Sequence, residues 1–230
     1  VWNAEQTDAV LLGKDGGDVE FVVKDKSAPG GQYTQRWHFP SRSECTLCHT
    51  MASRYVLGIN TLQMNKEHDY GGVLANQIDT FNRIGLFTEP LEKPAKELPK
   101  LVDHRDDTQP DHLRARSYLM SNCSHCHRRW GGGNAEFSLL ANKTLEDAAV
   151  IGVPPGQGAF NLKSPALIVP GEPERSLIYH RMTLKGLGKM PHIASNIHDQ
   201  PSIELIRKWI EGLPEKDYLK ETGVVSGDSN

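Results

Sequence analysis

Cys45-Thr46-Leu47-Cys48-His49 and Cys123-Ser124-His125-Cys126-His127 are two copies of Cys-x-x-Cys-His, and together they use all four cysteines of the 230-residue chain. Two thiols one helical turn apart reach the two vinyl groups of one porphyrin, and the residue that follows sets an imidazole nitrogen under the iron. Each pentapeptide reads as anchor, anchor, ligand: Cys45 and Cys48 with His49, Cys123 and Cys126 with His127. The expected cofactors are two covalently attached c-type haems. Paired Cys-x-x-Cys also serves structural zinc, but a four-cysteine zinc site leaves both histidines unexplained. Thioredoxin-like redox chemistry needs a βαβ setting that neither motif has, and two disulfides across such tight loops make an odd framework. Haem is attached to such motifs outside the bacterial cytoplasm, so the expected location is the periplasm, the cell surface or beyond.

Around each motif the chain follows a similar order. Before the first lie strand-like runs, Ala9-Val10-Leu11-Leu12, Val19 to Val23 and Tyr33 to Phe39, separated by Gly and Pro turns. Ser41 and Glu44 have capping-box spacing, which starts a short helix at the motif itself. Before the second, Thr108 and Asp111 with Pro110 predict a helix over about 110–121 that leads into Cys123. A closing helix follows each motif, marked by Leu74, Ile78 and Phe81 in the first half. In the second half it is marked by Ile203, Ile206, Trp209 and Ile210, entered through Asp199 and Pro201. A further helix is expected over 174–182. Residues 88–107, with Pro90, Pro94 and Pro99, read as a linker, and residues 221–230 as a frayed tail. The chain divides near residue 105, into a first haem domain over 1–105 and a second over 106–230.

The second axial ligands come from five methionines and eight further histidines. Met51 and Met120 are tethered too near the proximal side and read as packing residues. Met190, between Gly188-Lys189 and Pro191 and ahead of the closing helix, is assigned to the second haem, with Met182 and His192 as alternatives. Met64 is assigned to the first haem by position, against His68, His38, His104 or an open face. His112, His125, His180 and His198 read as surface or hydrogen-bonded residues. Trp130, Arg128 and Arg181 are candidates to border the second haem's propionates.

Through both motifs and the Gly188 to Pro191 loop, the sequence resembles class I cytochromes c. A narrower resemblance rests on Val1-Trp2-Asn3, Pro40 to Cys45, Val56-Leu57-Gly58, Arg114 to Leu119 and Pro170-Gly171-Glu172-Pro173. It points to bacterial di-haem modules at the C-terminal end of larger secreted proteins, beside sugar-dehydrogenase-like or carbohydrate-active domains. Some similar domains are proposed to feed electrons to lytic polysaccharide monooxygenases. The resemblance implies a mainly α chain of two tandem cytochrome c-like haem domains with a small β element at the N-terminus.

Composition agrees with a soluble redox protein. The 26 Lys and Arg against 29 Asp and Glu leave a net charge of −3, which offers no basic footprint for nucleic acid or anionic lipid. Apolar residues make up 37% of the chain, and no apolar run approaches the roughly 18 residues of a membrane span. The sequence opens on Val1 without signal-peptide character, which reads as a processed or excised chain. The expected function is electron transfer through two haems, to or from a redox protein that includes, among the candidates, a fused or secreted oxidoreductase. No catalytic residues are expected. The alternative is a di-haem peroxidase-like or oxidase enzyme with an open distal face at the first haem.

Overall fold

Alternation and a Pro-Gly-Gly turn set the N-terminal element. In the computed structural model, which describes residues 1–134, 136–214 and 219–227, strand β1 (Gly17–Lys24) pairs antiparallel with β2 (Gln32–Phe39). The register runs from Gly17 opposite Phe39 to Lys24 opposite Gln32. Gly30 and Gly31 sit in the turn with φ of 77° and 73°, a region that favours glycine. The run Ala9 to Leu12 is not a strand: Ala9 makes a single bridge to Trp2, and Val10 and Leu11 are exposed.

Strand β2 hands directly to the first motif. Pro40 ends it, and Ser41 caps α1 (Arg42–Cys45) in a reciprocal capping box, its hydroxyl accepting from the Glu44 N–H while the Glu44 carboxylate accepts from the Ser41 N–H. His38 on β2 ties strand and helix together, with Nδ1 2.9 Å from Asp18 and Nε2 3.0 Å from Glu44. Beyond the motif come a 3-10 turn (Met51–Ser53), α2 (Thr61–Met64), and a short antiparallel pair, β3 (Glu67–Asp69) with β4 (Leu74–Asn76). Helix α3 (Gln77–Arg83) follows, capped by Asn76. The closing helix of the first half is therefore shorter than its apolar spacing implied, because Leu74 belongs to β4.

Residues 88–107 are irregular but tethered. Ala95 is 0% exposed, and the buried Asn65 side chain donates to the carbonyls of Ala95 and Leu98, both at 2.9 Å. The Leu101 N–H donates to the Leu62 carbonyl at 3.1 Å, and Lys100 bridges to Val225. That bridge also anchors the C-terminal segment, whose Gly223 N–H donates to the Ala141 carbonyl at 2.7 Å. The tail up to residue 227 is thus held rather than frayed; residues 228–230 lie outside the described residues.

The second half carries α4 (Asp111–Asn122), α5 (Leu145–Ala148), α6 (Leu177–Thr183) and α7 (Gln200–Glu211). Helix α4 starts where expected, though without the Thr108 cap: that hydroxyl donates to Asp106 at 2.6 Å, and Pro110 occupies the N-cap. Asp199 caps α7. The apolar face of α7, Leu205, Ile206, Trp209 and Ile210, packs on Ala115 and Leu119 of α4 with Val150 and Ile168, and forms the hydrophobic core.

The expectation of a mainly α chain made of two tandem cytochrome c-like domains is corrected by this arrangement. Helix accounts for 28% and strand for 14%, in seven helices and two small sheets among the described residues. Local cap signals at Ser41, Asn60 and Asn76 do start helices, but three of the seven helices are a single turn of four residues before irregular backbone takes over. The core is also one-sided. Its members all come from residues 115 to 213, whereas the only buried apolar residues before 115 are Ile78 and Ala95 among those described. None of the described helices is long and apolar enough to cross a membrane.

Candidate functional site: two abutting Cys-x-x-Cys-His turns

Both pentapeptides are single helical turns closed in the same way. The His49 N–H donates to the Cys45 carbonyl and the His127 N–H to the Cys123 carbonyl, each at 2.9 Å. The first turn continues α1 and the second continues α4, whose last bonds run from the N–H groups of Cys123 and Ser124 to Leu119. This brings both thiols of each motif toward one side of its turn. All four cysteines are free and partly exposed.

The two turns lie against each other, 78 residues apart in sequence. The Cys126 thiol is 3.0 Å from the Leu47 carbonyl and 3.5 Å from the Cys48 sulfur. Glycine permits the approach: a Cβ on Gly132 would stand 1.9 Å from the Leu47 carbonyl oxygen, while Gly131 lets the chain fold back on its own motif, where a Cβ would stand 2.2 Å from the Cys126 carbonyl oxygen. Arg128 adds a clamp, its Nε donating to the Ser124 carbonyl at 2.6 Å and its Nη1 to the Ala52 carbonyl at 3.1 Å. His125 completes the junction, with its nitrogen and the sulfurs of Cys48 and Cys126 all within 4.8 Å of one another.

The electrostatics of the junction are asymmetric. Hydrogen bonding from Cys126, and then from His125, holds the Cys48 thiol well below its ordinary range, while Cys48 in turn raises Cys126. Burial pushes the Cys123 thiol up to about 12. Burial also lowers His127 to about 4, with Arg181, His125 and His192 adding repulsion, so its imidazole is neutral at pH 7.

The two motif histidines are held differently. His49 is exposed, and its Nδ1 is 2.5 Å from the Tyr55 carbonyl; the carbonyl can only accept, so Nδ1 is the donor and the bond fixes the ring with Nε2 on its far side. His127 stacks on Phe137 with ring centroids 4.6 Å apart, and its Nδ1 is buried with no hydrogen-bond partner among the described residues. Around His49 the side chains of Leu47, Met51, Tyr55, Val56 and Ile59 are exposed, an apolar rim with no core beneath it. Free thiols in pairs, each pair followed by an imidazole, fit the donor set of a covalently attached haem at each turn, and at the first turn exposed apolar side chains surround it.

Of the expected distal ligands, Met190 is half-buried in the loop after α6. Its N–H donates to the Arg181 carbonyl at 2.9 Å, and the Arg181 Nε donates to the Gly188 carbonyl at 2.8 Å, which fixes the loop. Arg181 and His192, either side of Met190, are near enough to act on His127. A groove of about 270 Å³ separates this loop from the first half, lined by Trp37, His38, Glu44, Lys189 and His192. Across it the Asn196 side chain donates to the Arg36 carbonyl at 2.7 Å. Met64 is half-buried at the C-terminal end of α2. His38 is engaged by two carboxylates and His68 stacks edge-on to Tyr70, so both have other partners. Met120 is a packing residue, as expected, but Met51 is 74% exposed. Arg128 and Arg181 are both committed to backbone carbonyls.

Sequence reading did not foresee that the motifs would touch. The available signal was Gly131-Gly132-Gly133, three residues without side chains that begin four positions after His127. His125, expected to be a surface or hydrogen-bonded residue, is part-exposed and hydrogen-bonded to Cys48 at the junction. No protein-family model, curated protein or solved structure matches the chain.

Proposed function

We propose that the protein is an electron-transfer module carrying two covalently bound c-type haems. Cys45 and Cys48 anchor the first and Cys123 and Cys126 the second, with His49 and His127 as proximal iron ligands. The observation that carries the reading is the pair of Cys-x-x-Cys-His turns, each closed by the same backbone bond, with every thiol free. Haem iron, when bound, supplies a one-electron couple.

The chain's own residues do the rest. Tyr55 orients the His49 ring through Nδ1, and burial keeps His127 neutral. Met190, fixed by Arg181, would be the distal ligand for the second iron, and Met64 for the first. Gly132 lets the two turns abut, an arrangement that would hold two haems on neighbouring segments away from the apolar core. The exposed apolar rim around His49 offers a face to a redox partner, and attachment chemistry places the protein outside the bacterial cytoplasm.

Protein-film voltammetry of the exported protein tests this reading. Two reversible one-electron couples with no catalytic current on adding peroxide are expected. A catalytic peroxide wave would overturn it in favour of a peroxidase-like enzyme with an open face at the first iron.

A further inference from the structure

The haem reading gives His125 no task, yet His125 stands where the two motifs meet. We propose that Cys48, His125 and Cys126 form a binding site for one soft divalent metal ion, zinc by its chemistry, in the chain whose thiols are still free. The donor atoms of all three lie within 4.8 Å of one another, and none of the three residues is buried, so an ion has a path in.

Distance supports a tetrahedral thiolate site. Two sulfurs bound to one zinc at about 2.3 Å stand about 3.8 Å apart along a tetrahedral edge. Cys48 and Cys126 are 3.5 Å apart, so bridging them needs a shift of a few tenths of an ångström. Closing a disulfide instead would need the sulfurs to approach to about 2.05 Å. The backbone is already fixed around the pair: the Cys45 and Cys123 carbonyls close each turn, Gly132 sits on Leu47, and Arg128 reaches Ala52. An imidazole beside two thiolates completes three protein ligands and leaves the fourth position to water. The remaining cysteines, Cys45 and Cys123, lie outside the cluster.

Both sulfurs bind as thiolates, any proton still on them passing to solvent, His125 donates a ring-nitrogen lone pair, and nothing is oxidised or reduced. The site takes one cysteine from each Cys-x-x-Cys pair. A single ion therefore blocks thioether formation at both motifs at once, and its removal frees both together. This consequence rests on the haem reading; the metal site itself does not.

The test uses the reduced full chain made in the bacterial cytoplasm, where haem is not attached, titrated with Co²⁺ as an optical probe and then with Zn²⁺. The expected result is one equivalent of Co²⁺ with thiolate-to-cobalt charge-transfer absorption and intense visible bands of a four-coordinate ion, displaced by Zn²⁺. The C45S/C123S double variant should keep the signal. H125A should weaken binding by on the order of 100-fold, as loss of a ligand. Absence of charge transfer in the unmodified chain with four titratable thiols would overturn the proposal. So would its loss in C45S/C123S or its indifference to H125A. The haem reading stands or falls separately, on the intact mass of the exported protein.

Discussion

At the scale of single residues, Gly132 sets the relation between the two motifs. Any side chain there meets the Leu47 carbonyl, so Gly132→Ala must push the turns apart. A loss of about 1–3 kcal/mol in denaturant unfolding is expected, as for other overpacked contacts. Gly156→Ala has open space around it and should change stability by no more than about 0.5 kcal/mol. Met190 and Met64 are testable in the haem-loaded protein by the long-wavelength iron–sulfur absorption band. Met190→Ala should remove the second haem's share and lower that centre's potential. Met64→Ala should remove the remainder and open the first iron to cyanide, whereas Met51→Ala, at an exposed site, should leave the band intact.

Among the elements, the hairpin and α1 are coupled through ionisable side chains, which makes their junction sensitive to pH. His38 is raised above 6.5, first by Glu44 and then by Asp18, so its contribution is full below pH 6.5 and is lost as pH rises through the raised value. Glu44 is lowered from 4.5 to about 2, first by the Ser41 N–H and then by His38. Its contribution is full above pH 4.5 and is lost as pH falls toward 2. The protection of amides in β2 and α1, taken relative to their intrinsic exchange rate at each pH, should therefore be greatest between about pH 4.5 and 6.5. His38→Gln should abolish the alkaline loss of protection and leave the acid one. The elements themselves were largely legible: the Ser41–Glu44 box, the β1 and β2 runs, the entry to α7 and its apolar stripe all follow from local chemistry. Helix length was less legible, because an N-cap says where a helix starts, while three-dimensional packing decides how far it runs. The Pro-rich 88–107 segment misled for the same reason. Its prolines leave no more than the 3-10 turn Ala95–Glu97, but nothing local announces that Asn65 will bind its carbonyls.

For the molecule as a whole, the site lies at the meeting of two unlike halves. One is built on the α4–α7 core; the other has little buried apolar surface and presents an apolar rim around His49. Sequence spacing singles out the four cysteines and two histidines proposed as anchors and proximal ligands, because Cys-x-x-Cys-His is a local pattern. It carried no information on the contact between the copies, a long-range fact made by Gly132 against Leu47 and Arg128 against Ala52. The central claim is that both turns bind haem covalently. Intact-mass and peptide-level mass spectrometry of the exported protein tests it most directly. The expected result is a polypeptide heavier by two haems that acid–acetone does not extract, one on the peptide holding Cys45 and Cys48 and one on that holding Cys123 and Cys126. A mass equal to the bare polypeptide, or to the polypeptide with zinc alone, would contradict it.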